Sequence, residues 1–172
     1  MQMDSGLDTG PILAMEKRDL VPSMTVGQLH DELSLLGAEL LIKTVAELKA
    51  GIIAPASQPK EGVLYATKLT REDEKICFAN KADFVQRHIL ALNPWPGAVA
   101  VLEGKPIKIL SCRVAHGVGK VGSVIAIHPE GPEVACGEGS VIVTEVQVPG
   151  KRRMTAAEWM RGHALKMGMQ WQ

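Results

Sequence analysis

Two carboxylates, Asp4 and Asp8, stand close together in the stretch MDSGLDTGP at residues 3–11. A carboxylate fixed on a glycine-containing turn beside a strand end has a set direction, and can orient an imidazole or hold a water. The same residues also make Asx turns, accepting backbone N–H groups two positions on, and the local pattern alone favours that plainer role. A second candidate is GKRRM at residues 150–154, where Lys151, Arg152 and Arg153 are consecutive. Such a run suits a nucleic-acid phosphate backbone, or is simply a solvated loop. A third is NPWPGA at residues 93–98, which presents one large aromatic, Trp95, between two prolines. It could stack on a base, but the tendency of Trp to be buried favours a plug at the join between two domains. His30, His88, His116, His128 and His163 show no ligand spacing. No P-loop and no Ser–His–Asp order of a hydrolase is present.

Something must position these groups, and the bulk numbers bound what it is. The chain has 172 residues, 46% of them hydrophobic and only 3% aromatic, so it can bury a core that is mainly aliphatic. Formal net charge is zero. Its distribution is uneven, at −4 over residues 1–51 and +4 over residues 52–172, which fits two parts with different partners. Cys77, Cys112 and Cys136 are odd in number and widely spaced. That argues against a zinc or redox motif and for free thiols in a reducing, cytoplasmic compartment. No stretch has the length of a membrane span and no signal-peptide pattern opens the chain, so no membrane partner is expected.

Ile12–Lys17, apolar and then charged, reads as a strand leaving the acidic turn. Thr25 with Gln28 forms a capping box for a long helix. Leu29, Leu33, Leu36, Leu40, Leu41 and Val45 follow at helical spacing, and Gly51 stops it. A strand followed by an amphipathic helix is half of an α/β unit. Residues 1–51 are too few for a doubly wound domain, and read as the end of one whose other strands precede Met1. Residues 52–68, with two prolines, read as a linker. A short helix carrying Phe84, Ile89 and Leu92 starts at Asn80 and stops before Pro94. Then come five short Val- and Ile-rich runs, Ala98–Leu102, Ile107–Val114, Ser123–Ile127, Glu133–Ala135 and Val141–Val148, separated by glycine turns. This pattern suggests a small barrel of the oligonucleotide-binding type. A last helix is capped by Thr155 with Glu158.

Several separated stretches, MQMDSGLDTGP, YATKLTREDEKI, RHILALNPWPGA and GKRRMTAAEWMRGH, together resemble the methionyl-tRNA formyltransferase family, in order and from Met1 to about residue 165. The resemblance implies an α/β fragment over residues 1–51, the end of a Rossmann-type formyltransferase domain. A linker at 52–80 and an oligonucleotide-binding-like β-barrel domain with flanking helices at 81–172 would follow. It implies transfer of a formyl group from 10-formyltetrahydrofolate, the co-substrate, to the amino group of methionyl initiator tRNA, with no metal. Asp8 would be the catalytic carboxylate. Met3, Asp4, Ser5, Gly6 and Leu7 would line the folate pocket, and Lys68, Arg71, Lys151, Arg152 and Arg153 would contact tRNA. A monomer is expected.

The family's catalytic Asn and His are expected in an upstream segment ending in a Ser-Leu-Leu-Pro run, which these residues lack; LSLLG at 33–37 falls inside the predicted helix. The chain alone is therefore expected to be inactive. Two alternatives stay open. One is a related folate-dependent formyltransferase with another acceptor, such as a nucleotide sugar, or one that hydrolyses the formyl-folate. The other is a non-catalytic module that binds tRNA or another nucleic acid.

Overall fold

The computed structural model describes residues 1–172, which fall into two compact units. Met1–Val21 with Gln28–Lys68 form one, and Pro22–Gly27 with Leu69–Gln172 form the other.

The first unit is built on α1 (Val26–Lys49). The helix ends as its sequence requires. Gly51 takes a φ of 69°, its N–H donates to the Leu48 carbonyl at 3.1 Å, and the Ile52 N–H donates to the Glu47 carbonyl at 3.0 Å. This is a Schellman stop, which only a residue free to enter the left-handed region makes without strain. Of the expected apolar stripe, Leu29, Leu36 and Leu40 are half-buried, whereas Leu33, Leu41 and Val45 are exposed. Thr44 is the one buried residue of the helix. The strand expected over Ile12–Lys17 does not form. Only Ile12 is paired, in a single antiparallel bridge to Ala56. An extended segment needs a partner along its length to satisfy its backbone groups, and these residues have one only at Ile12.

The second unit holds the core. α2 (Ala82–Ala91) precedes β1 (Ala98–Leu102), β2 (Lys105–Ala115), β3 (Val124–Ile127), β4 (Pro132–Ala135), β5 (Ser140–Gln147) and β6 (Met154–Thr155), and α3 (Ala156–Arg161) follows. The strands form one antiparallel sheet in the order β1-β2-β5-β4-β3, with β6 paired to β5. Glu103 and Gly104, at φ 50° and 75°, make the two-residue hairpin that joins Leu102 to Lys105. Two positive φ angles match the right-handed twist of the flanking strands. Register shifts around Ser111 bend the long β2. In α2, Ala82, Val85, Ile89 and Leu90 are buried and Phe84 faces out, so Val85 takes the place expected for Phe84.

The two edge strands, β1 and β3, are both closed by the C-terminal residues. Val101 and Gln172 exchange backbone hydrogen bonds at 2.6 and 2.9 Å. On the other side the Val124 N–H donates to the Met169 carbonyl, and the Trp171 N–H to the Gly122 carbonyl, both at 2.8 Å. Trp171 is thereby buried and meets Trp159 of α3 edge-on, with ring centroids 5.9 Å apart. Around this pair the core is aliphatic, with Ile89, Ile109, Val134, Val141, Val143 and Val146 at its centre. No helix is long and apolar enough to cross a membrane.

Candidate functional site

The acidic loop is tightly built. The Asp4 carboxylate accepts the Gly6 N–H at 2.9 Å and the Thr9 hydroxyl at 2.6 Å, and these donors hold its pKa below the ordinary 3.8. Asp4 is spent on the turn. The Gln2 N–H closes the loop on the Pro11 carbonyl at 2.9 Å. A side chain at Gly10 would collide with the Gln2 carbonyl, so only glycine fits there.

Asp8 differs. Its backbone sits in the left-handed region at φ 56°, uncommon for a residue with a Cβ, though Asp tolerates it better than most. Gln58 holds it there: its side-chain amide donates to the carbonyls of Asp8 and Gly10, each at 2.7 Å. Nothing in the sequence signals this clamp, which joins positions about fifty residues apart. The Asp8 carboxylate itself has no partner and is exposed. Asp8 thus combines a sparsely populated backbone conformation with a free carboxylate. Met3 and Leu7, 89% and 82% exposed, flank the turn. A side chain at Gly6 would collide with the Thr9 hydroxyl, so the turn packs on itself there.

Among the cations, Lys75, Lys81, Arg87, Arg113 and Arg153 are engaged with Glu72, Glu138, Asp83, Glu130 and Glu145 respectively. Arg153 grips Glu145 through two nitrogens, which raises its own pKa further and leaves little of its fork for another anion. Arg152 is 80% exposed, with only a long 3.8 Å approach to Glu158, and Lys151 has no carboxylate partner. Arg71 and Lys68 are likewise exposed and unpaired. The loop beside α3 is fixed by the expected capping box: the Glu158 N–H donates to the Thr155 hydroxyl at 3.1 Å, and the Thr155 N–H to the Glu158 carboxylate at 3.0 Å. Trp95 is 78% exposed, contrary to the burial expected of it.

One polar cluster went unnoticed in the sequence. Glu133, 8% exposed, accepts the Ser140 hydroxyl at 2.5 Å on one oxygen and meets His128 Nε2 at 2.7 Å on the other. Burial works to raise its pKa, but the hydrogen bonds from Ser140 and His128 prevail and hold it below 4.5. Ser140 Oγ also accepts the Gly117 N–H at 2.8 Å. The carboxylate lies between hydroxyl and imidazole, so the imidazole cannot take the serine proton. This is a structural network, not a nucleophile and its base.

The chain is similar to proteins named methionyl-tRNA formyltransferase from Magnetococcus marinus, 41% identical over 168 residues, and from Rhodopseudomonas palustris strain TIE-1, 42% identical over 173 residues. Each match covers 98% of this chain but 54% and 55% of the relative, so the chain spans about half the length of the curated relatives it matches. Among solved structures, a HypX variant from Aquifex aeolicus superposes with a TM-score of 0.73 at 17% identity, over 98% of this chain and 30% of that one. HypX has also been solved in complex with tetrahydrofolic acid, and that structure superposes at 0.69 over 91% of this chain and 28% of its own. WlaRD, a sugar 3N-formyl transferase, superposes at 0.62 with 18% identity, over 87% of this chain and 53% of its own. These likenesses are of fold. A family model for the formyl transferase C-terminal domain matches residues 68–164, more than half of the sequence, and the chain belongs to that family.

Proposed function

We propose that the protein to which this chain belongs transfers a formyl group from 10-formyltetrahydrofolate to the amino group of methionyl initiator tRNA. The observation that carries this is sequence identity near 40%, sustained over 98% of the chain, to relatives of that name. In this reading residues 1–51 end a Rossmann-type catalytic domain, residues 52–80 link it onward, and residues 81–172 form an oligonucleotide-binding-like barrel. The hydrogen bonding of residues 168–172 to both edge strands supports the barrel. The apolar face that α1 leaves exposed supports the catalytic fragment, since such a stripe belongs against a sheet.

Asp8 is the catalytic carboxylate in this scheme. Attack of the amine on the formyl carbon makes a tetrahedral oxyanion, which must be stabilised by aligned donors. A carboxylate beside an imidazole keeps it charged and oriented, and helps carry the proton to the leaving nitrogen. The clamp from Gln58 fixes Asp8 for that task. Met3, Ser5, Gly6 and Leu7 line the pterin side, and Asp4 shapes the turn that carries them. Lys68, Arg71, Lys151 and Arg152 take phosphates. Arg153 contributes less, because Glu145 already holds it.

The test is a formyl-transfer assay on methionyl initiator tRNA. This chain alone yields no product, whereas a chimera in which it replaces the matching part of the Magnetococcus relative is active. Asp8→Asn in the chimera lowers the rate by about 10²–10⁴-fold, the usual weight of a general acid–base group. A chimera that is active with Asn at this position refutes the role of Asp8, and formyl transfer by the isolated chain refutes the domain reading.

A further inference from the structure

On the outer face of the sheet, β1, β2 and β5 bring Val99, Lys108 and Gln147 side by side in register. With Pro106 and the turn through Val148, Pro149 and Gly150 they bound a groove of about 310 Å³. Outward-facing strand positions ordinarily carry polar side chains, yet Val99 and Pro106 line this one. No carboxylate lines it. Its one charged group, Lys108, is half-buried and donates to the Pro96 carbonyl at 2.6 Å, a neutral acceptor that leaves its charge uncompensated. Lys151 and Arg152 follow Gly150 in the chain, neither tightly paired. Trp95, the residue before Pro96 in the chain, is 78% exposed.

An apolar floor with an uncompensated cation in it, and further cations next along the chain from its edge, suits a ligand that is flat and apolar at one end and anionic at the other. The groove is at the small end of the range for ligand sites, which lie at about 300–1,000 Å³. That volume suits a single planar group. We propose that this groove takes one unpaired nucleotide of the bound RNA, with the base against Pro106 and Val148 and the phosphate on Lys108 and Lys151. The proposal rests on the reading of this unit as RNA-binding and adds what that reading leaves open, a subsite for single-stranded RNA. Apolar contact with a base face reads no hydrogen-bonding edge, so the subsite selects strandedness rather than sequence.

The test compares the full 172-residue chain with Lys108→Met, which keeps the apolar stem, and Lys108→Arg, which keeps the charge. Probes are a single-stranded RNA tetranucleotide and a blunt RNA duplex, and near-UV circular dichroism checks that each variant is folded. Lys108→Met should weaken tetranucleotide binding about fivefold or more and lower its salt slope by about one, while duplex binding changes by less than about twofold. Lys108→Arg should keep most of the affinity. Equal loss on both probes, or no loss on either, overturns the subsite and leaves RNA binding standing. A wild-type chain that binds neither probe at low salt overturns the subsite together with the RNA-binding reading beneath it.

Discussion

At the scale of single residues, two aspartates that look alike in the sequence have separate lives. Asp4 holds the turn through Gly6 and Thr9; Asp8 is held by the turn and keeps its carboxylate free. The turn chemistry of Asp4 was legible, because Asp followed by small residues reaches its own backbone. The Gln58 clamp was not, since it is a tertiary contact with no local pattern. Glu133 was also invisible, as a strand glutamate normally faces water. Its depressed pKa ties it to acid stability. The carboxylate's contribution is fully present above 4.5 and is lost as pH falls through the lower folded value. Thermal melts should therefore show wild type losing stability below that pH more steeply than Glu133→Gln. Ser140→Ala removes one hydrogen bond to Glu133 and one from the Gly117 N–H, and should cost about 1–3 kcal/mol in urea unfolding. The cysteines divide in the same way. Burial pushes Cys112 up to about 12 and Cys136 up to about 11, whereas Cys77 is exposed. Iodoacetamide at mildly alkaline pH, read by mass spectrometry, should label Cys77 and spare the other two until the protein is unfolded.

At the scale of elements, the strands of the second unit were readable because Val and Ile alternate between glycine turns, and β1 falls on its expected residues. The capping box of α3 was readable for the same local reason. Thr155→Ala should cost about 1 kcal/mol, with a range of about 0.5–2, measured by chemical denaturation. The closing segment MGMQWQ was not readable. It is short and lacks β-branched residues, and its pairing is dictated by the two strand edges it covers. Trp171→Ala removes a fully buried ring from that closure, and should destabilise the unit by about 3–5 kcal/mol. The reverse error occurred at Ile12–Lys17, where an apolar run suggested a strand but only Ile12 found a partner. Trp95 shows the limit of residue averages: Trp is usually buried, and this one stands 78% exposed between two prolines.

At the scale of the whole molecule, the chain belongs to the formyl transferase C-terminal domain family, and its charge is uneven, acidic first and basic after. The basic part matters only where cations are free, and the ion pairs with Glu72, Glu138, Asp83, Glu130 and Glu145 remove several from consideration. Of the cations left outside those pairs, Lys68, Arg71, Lys151 and Arg152 are the phosphate contacts proposed above, with Lys108 as a fifth, so binding should be electrostatic and salt-sensitive. The direct test is a titration of initiator tRNA with the 172-residue chain across a series of salt concentrations. Measurable binding at low salt is expected, with a log–log slope of about −4 to −5, close to −0.9 for each of five neutralised phosphates. Binding that ignores salt, or no binding at low salt, would contradict it.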